Sequence, residues 1–406
     1  MTRGKRLDAL EDEHFSRSGG ALAVLFGAAP FVALGGAAAL AAGGGLAGLL
    51  AVRWQRLPRA LGGGGLPLAL AAAFLVWAAA SALWAPGRPL AQAAGLAAAA
   101  LGLLLLVLGA GLVRAVDQAM ARRAGAAGLG ALVALLAIET AFDFPIGRQL
   151  TPGADPSLAL EHARRALTLG AFWIWGVAAM LTAWRWPGWA LTAVAVAGLV
   201  WLGARMPDAE ALAALAAGAV PALLALRWPR GAVSITAMTA AFCFTVAPSV
   251  LPTAATLAGQ AYRALLHVEP PFQWLARVDT WSFVSARISE RPILGWGFGA
   301  SGHFSETHVL QGFTVPYVAG HPSNAAMQIW LETGLIGALL FSGALAAFGR
   351  RAGAALAQDR WAAAAAAGAT GAAFMIAMLD GDVWALWLWG GLAMAAALVR
   401  ATRTAP

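Results

Sequence analysis

The sequence predicts an all-α polytopic membrane protein, with about 12 transmembrane helices and a large helical outer loop before the last three. Three observations lead there. Hydrophobic residues make up 60% of the 406-residue chain and charged residues 11%, with a mean hydropathy of +0.72, a composition that excludes an ordinary soluble domain. The apolar residues gather in segments of about 20, the length that crosses a hydrocarbon layer about 30 Å thick. One long stretch, 249–322, breaks this pattern with Arg, Glu, His and Trp.

Taken in order, the expected spans are 20–36, 37–52, 66–84, 92–113, 124–142, 168–184, 187–204, 209–226, 231–248, 324–348, 356–379 and 382–399. The first two form one Gly/Ala-rich run that also reads as a single long helix. The chain therefore divides into a cytoplasmic tail at 1–19, a bundle at 20–248 with a shorter outer loop near 143–167, the large loop at 249–322, carboxy-terminal spans at 323–400 and a tail at 401–406. Small residues in the spans favour close helix packing.

Side assignment follows the rule that Lys and Arg collect in cytoplasmic loops. Eighteen of the 27 basic residues fall on one side, which is read as cytoplasmic. The other nine are Arg88, Arg148, Arg164, Arg165, Arg205, Arg263, Arg277, Arg287 and Arg291. The net charge of +8 is thereby a topological signal, since no aromatic-basic platform or zinc spacing points to nucleic acid. Cys243, the single cysteine, lies in an apolar span, so no disulfide framework or cysteine metal cluster is expected. The charged amino terminus and the length of the first apolar run argue against a cleavable signal peptide.

Within the large loop, Trp274, Val278, Trp281, Ser285 and Ile288 recur every three or four residues, which predicts a helix over 273–291 lying at the membrane interface. Pro292 ends it, and Gly295-Trp-Gly-Phe-Gly299 follows as a flexible turn. Trp281, Trp296 and Phe298 are expected at headgroup depth, with sugar stacking as the other reading. His303, Glu306, His308 and His321 come next, and the following helix starts at Ser323 or Asn324. His321 thus stands just before a helix amino terminus, a placement that suits a proton acceptor.

Three motifs carry a resemblance: Arg277-Val-Asp-Thr-Trp281, Glu290-Arg-Pro-Ile-Leu-Gly-Trp-Gly-Phe-Gly299, and His321-Pro-Ser-Asn324 followed after nine residues by Gly334-Leu-Ile-Gly337. Over about residues 190–400 the chain resembles the O-antigen ligase/polymerase family of bacterial envelope glycosyltransferases. The family has a His directly before the position of Asn324. Here Ser323 stands there, and the nearest His is His321.

The resemblance implies an enzyme of the bacterial inner membrane, with its site facing the periplasm. It implies transfer of a glycan from undecaprenyl pyrophosphate to the hydroxyl of lipid A-core, or to another glycan in a polymerase. It further implies His321 as the general base and Arg277, by motif position, with Arg205, by spacing, as pyrophosphate-binding groups. A different alignment puts Glu210 near the position of Arg205. Arg165, Asn324, Ser323 and Glu332 are supporting candidates, and neither a metal nor another cofactor is expected.

The chemistry agrees with these residue types. A departing pyrophosphate gains negative charge, which guanidinium groups clamp bidentately. A sugar hydroxyl is a poor nucleophile that benefits from a base. Arg at a span end is also a common headgroup anchor, and Arg287 and Arg291 read as a surface pair beside Glu290. The loop carboxylates Asp143, Asp155, Glu161, Glu269, Asp279, Glu290 and Glu306 contain no Asp-x-Asp pair to hold a metal diphosphate. Asp380 and Asp382 read as a solvated turn. A transporter for anionic solutes, with the Arg residues as a selectivity ring, is the competing class.

Overall fold

The computed structural model describes residues 17–34, 37–52, 54, 57–62, 64–112, 115–150, 155–181 and 186–402. The tails up to residue 16 and from 403, together with Arg53, Arg56, Arg114 and Arg185 of the basic side, lie outside the described residues.

Fifteen α-helices are described: α1 (Arg17–Leu34), α2 (Ala37–Ala51), α3 (Leu57–Gly62), α4 (Gly65–Ser81), α5 (Leu90–Ala110), α6 (Ala115–Ala141), α7 (Pro145–Leu150), α8 (Pro156–Leu181), α9 (Trp186–Arg205), α10 (Ala209–Arg227), α11 (Pro229–Leu266), α12 (Phe272–Glu290), α13 (Ala325–Ala355), α14 (Arg360–Leu379) and α15 (Leu386–Thr402). A short β-hairpin joins them. The protein is all-α and polytopic: seven helices are long and apolar enough to cross a membrane, and shorter apolar helices accompany them. The Gly/Ala-rich run at 20–52 is two helices packed on each other, so the single-helix reading does not hold.

Close backbone approach holds the bundle. Where α10 meets α14, a Cβ on Gly218 would lie 2.7 Å from the carbonyl oxygen of Gly368, and one on Gly371 would lie 2.6 Å from that of Ala217. Side chains there would push the helices apart. One core gathers around Phe26, Phe172 and Trp173 in the amino-terminal helices, and a second around Phe244, Trp281, Val284 and Met327 joins α11, α12 and α13.

The structure adds detail at four places and, for the stripe of the interface helix, corrects the expectation. The span expected to stop at 248 runs on as α11 to Leu266 despite Pro248 and Pro252. At 1.5 Å per residue its 38 residues reach about 57 Å, well past a bilayer core. The shorter loop near 143–167 is largely helix, because α7 and the first turns of α8 occupy it. The interface helix forms as α12, but its stripe faces protein instead of headgroups. Trp281 is 2% exposed and its indole N–H donates to the carbonyl of Pro322 at 3.0 Å, while the Ser285 hydroxyl donates to that of Pro248 at 2.8 Å. Phe298 is buried too, and Trp296 is half-buried with its indole N–H on the Arg287 carbonyl at 2.9 Å. Finally, the stretch after the Gly-rich turn holds strands β1 (Thr307–Leu310) and β2 (Phe313–Pro316), paired antiparallel. Gln311 (φ 48°) and Gly312 (φ 86°) supply the two left-handed residues that such a tight turn requires.

The break in α13 is the feature that shapes one end of the bundle. Gly334 has φ 64° and ψ −166° in the middle of this helix, a conformation essentially restricted to glycine. The carbonyls of Leu331 and Glu332 are freed and accept from Trp296 N and Gly297 N at 2.8 and 2.9 Å, while Leu335 N donates to the carbonyl of Pro292 at 2.9 Å. The Trp77 indole N–H of α4 donates to the carbonyl of Thr333 at 2.9 Å. The two glycine motifs of the sequence are therefore one unit, a Gly-rich turn laid into a broken helix.

Candidate functional site

Alternating helices bring several connections to one end of the bundle: the start of α8, the turn before α10, α12 with its hairpin, the start of α13 and the turn between α14 and α15. Each is fixed locally. The Arg164 side chain donates Nε–H to the carbonyl of Met206 at 2.9 Å, bracing the turn before α10. Asp208, buried, caps α10 by accepting from Ala211 N at 2.9 Å. Asn324 caps α13, accepting from Met327 N at 3.0 Å and donating to the carbonyl of Met378 at 2.8 Å. One turn later Gln328 donates to Asp382 at 2.9 Å and accepts from Val383 N at 2.8 Å. Asn324 and Gln328 thus secure the turn that carries Asp380.

The result is a mixed-charge cluster. Arg277 of α12 donates to Glu210 of α10 at 2.5 Å, with the two side chains 21% and 22% exposed. Arg165 pairs with Glu161 one helical turn away. Asp380 retains an open face to solvent, yet the protein around it raises its carboxyl above the ordinary value. Burial is the main cause and the Glu210 charge adds to it, with His321, Arg277 and Arg165 pulling the other way. These opposing effects place Asp380 within electrostatic reach of two arginines, a histidine and a second carboxylate.

His321 is half-buried, and its Nδ1 accepts from the amide of Ser323 at 3.1 Å. The neutral ring then carries its proton on Nε2, so the lone pair of a base is at Nδ1. Ser323 adopts φ 51°, which folds the His321-Pro-Ser323 corner back on itself. Asn324 uses both ends of its amide in structural contacts. Arg205 is exposed at the end of α9, its guanidinium 5.6 Å from the Trp201 ring centre, and has no carboxylate partner among the described residues. His303 is exposed with Nδ1 3.3 Å from the carbonyl of Gly299. His308 lies against Asp279 at 3.1 Å and stacks on Tyr317. Arg287 bonds to both Glu290, at 2.9 Å, and Glu306, at 2.5 Å.

Glu332 is fully buried and receives only donors: Gly299 N at 2.7 Å, Ser301 N at 3.3 Å, the Ser301 hydroxyl, and the Trp384 indole N–H at 2.5 Å. It ties the Gly-rich turn, α13 and the start of α15 together. Replacing Glu332 by Gln sets an amide donor against donors; the expected loss is about 2 kcal/mol of stability, read as a lower midpoint in detergent unfolding with little change in helix content.

Asp380 and Asp208 escaped the sequence reading, and Glu210 entered it only through an alignment ambiguity. Asp380 was expected in a solvated turn and is exposed, while Asn324 and Gln328 tie the residues around it to the start of α13. Asp380-Gly-Asp382 is an Asp-x-Asp pair outside the loop carboxylates considered above, and Asp382 accepts from Gln328 and from Trp384 N. Their available signal was topological: short turns at 206–208 and 380–385 must open on the same side as the large loop.

Burial pushes the Asp208 carboxyl up to about 6, with the Ala211 amide opposing and Glu210 adding to the rise. The folded value exceeds the ordinary 3.8, so the contribution to stability is complete below about 3.8 and disappears as pH rises through about 6. Asp208→Asn keeps a capping side chain and removes the titration. The expected result is equal unfolding midpoints at pH 4 and a variant more stable by about 2 kcal/mol at pH 8; equal midpoints at both pH values exclude this account.

No protein-family model matches the chain. A search of curated proteins finds two similar ones, each 39% identical over 69 residues and each named "Putative polysaccharide ligase", from Rickettsia felis and Rickettsia conorii. The likeness covers 16% of this chain and 17% of either relative's length.

Proposed function

We propose that the protein is a glycosyltransferase of the polysaccharide-ligase type, moving a glycan from undecaprenyl pyrophosphate to an acceptor hydroxyl on the periplasmic side of the inner membrane. The observation that carries this reading is that α12 holds Arg277 against Glu210 at the start of α10 and, one turn on, Trp281 against the Pro322 carbonyl next to His321, which brings a guanidinium and an imidazole to one end of a membrane bundle. The partial likeness to two proteins named for polysaccharide ligation supports it.

In the proposed reaction the pyrophosphate lies against Arg277, with Arg205 as a second guanidinium and Arg165 beside them. His321 receives the acceptor's hydroxyl proton at Nδ1, the hydroxyl taking the place of the Ser323 amide. The acceptor oxygen bonds to the anomeric carbon as the carbon–oxygen bond to phosphate breaks. The electron pair leaves with undecaprenyl pyrophosphate, and attack from the opposite face inverts the configuration. Fixed guanidinium charge stabilises the leaving group, so the reaction needs no divalent cation.

A second reading, passage of an anionic solute, draws on the break in α13, since discontinuous helices mark many transport sites. Here the break is filled by the 292–297 segment, whose backbone groups pair with it. Purified protein is to be incubated with an undecaprenyl-pyrophosphate-linked glycan and lipid A-core, without divalent metal, and the products resolved on a gel. A shifted lipid A-core band is expected. A ladder of longer lipid-linked glycans indicates polymerisation, and neither product beside an active ligase control rejects transfer in favour of transport.

A further inference from the structure

Arg165 on α8 and Arg277 on α12 are both occupied by glutamates, Arg165 by Glu161 and Arg277 by Glu210. The two pairs differ in kind. Glu161 lies on the same helix as its arginine, whereas Glu210 reaches across from α10 to α12, 67 residues apart in the chain. Its pair is only about one-fifth exposed, so it exerts a stronger hold than a surface ion pair.

We propose that Glu210 is a positioning residue: a resident counter-ion that holds Arg277 ready while the site is empty and yields the guanidinium to the pyrophosphate of the donor. The inference rests on the reading of Arg277 as a pyrophosphate-binding group. Glu210 is suited to letting go. It lies in the first turn of α10, two residues past the cap, where the helix dipole favours a carboxylate that has lost its partner. A glutamate in a helix interior has no such compensation. After transfer, Glu210 returns to Arg277 and helps displace the product pyrophosphate.

The test uses the full chain in detergent with farnesyl pyrophosphate as a soluble lipid-pyrophosphate probe, and compares wild type, Glu210→Gln, Arg277→Ala and the double variant by calorimetry. Glu210→Gln is expected to bind the probe on the order of fivefold more tightly, and the gain is expected to vanish when Arg277 is absent. In transfer assays the same variant should show a lower KM for the donor together with a lower kcat, a split that a merely structural bridge does not produce. Should Glu210→Gln fail to fold, Glu210→Asp keeps the charge, shortens the reach and takes the same measurements. Unchanged or weaker binding by a folded Glu210 variant overturns the proposal while leaving the transfer reading intact. If wild type and Arg277→Ala bind the probe equally, the pyrophosphate reading of Arg277 itself fails, and this inference fails with it.

Discussion

Arg277→Ala is expected to reduce glycan transfer by at least about a hundredfold, the usual consequence of removing one fixed donor from a developing negative charge. Arg277 is the candidate arginine anchored across two elements, α12 and α10, and it lies one helical turn from Trp281, whose indole N–H holds the Pro322 carbonyl next to His321. Removing it costs more than one contact, since Glu210 and Asp380 are left as neighbouring carboxylates without their nearest shared cation. Arg277→Lys retains the charge but loses the planar fork, and intermediate activity is expected. Initial rates at saturating donor, with protein amount matched by gel filtration, separate the variants. Wild-type activity in Arg277→Ala rules out its assigned role.

The second large effect concerns stability. Gly334→Ala places a methyl group 2.2 Å from the carbonyl oxygen of Ile293, in a backbone conformation that side chains do not adopt. Relief requires expelling the Gly-rich turn or restoring a continuous helix. Either response breaks the bonds from Trp296 N and Gly297 N and removes Glu332 from its donors on Gly299 and Ser301. The expected loss is about 4 kcal/mol or more, seen as little monodisperse protein after purification. Gly312→Ala, in a hairpin turn where an added Cβ meets nothing within 4 Å but still strains a left-handed backbone, is expected to lose only about 1 kcal/mol and serves as the control for backbone strain without a clash. Equal yield and midpoint for Gly334→Ala and wild type contradict the fixed break in α13.

The spans were legible in the sequence because lipid imposes a length and a composition on any segment that crosses it. Helix α12 was legible from its three-and-four spacing and from Pro292 at its end. What its apolar stripe faces was not: the same spacing fits lipid headgroups or the side of α11, and only the packing of Trp281 and Ser285 decides. The continuation of α11 beyond Pro248 was hidden because proline usually marks a boundary, although a helix tolerates it where neighbouring groups satisfy the backbone. The hairpin was hidden by the shortness of its strands, with Gln311-Gly312 as the overlooked turn signal.

Within the site, Arg277 and His321 stood out through motif spacing. Glu210 and Asp380 did not, since no local pattern states that the turns before α10 and after α14 meet the corner before α13. Gly334 was visible as half of a glycine pair, but its purpose depends on Gly295, 39 positions earlier in the chain, whose own Cβ would meet the backbone of Glu332 at 2.6 Å. Such mutual approach has no signature in either motif alone.

Mass spectrometry of the lipid fraction after incubation with a lipid-linked glycan and acceptor tests the central claim most directly. Transfer requires one undecaprenyl pyrophosphate released for each glycan gained by the acceptor, in wild type and not in Arg277→Ala. Donor lipid recovered intact, while acceptor and protein are competent by independent controls, contradicts glycan transfer by this chain.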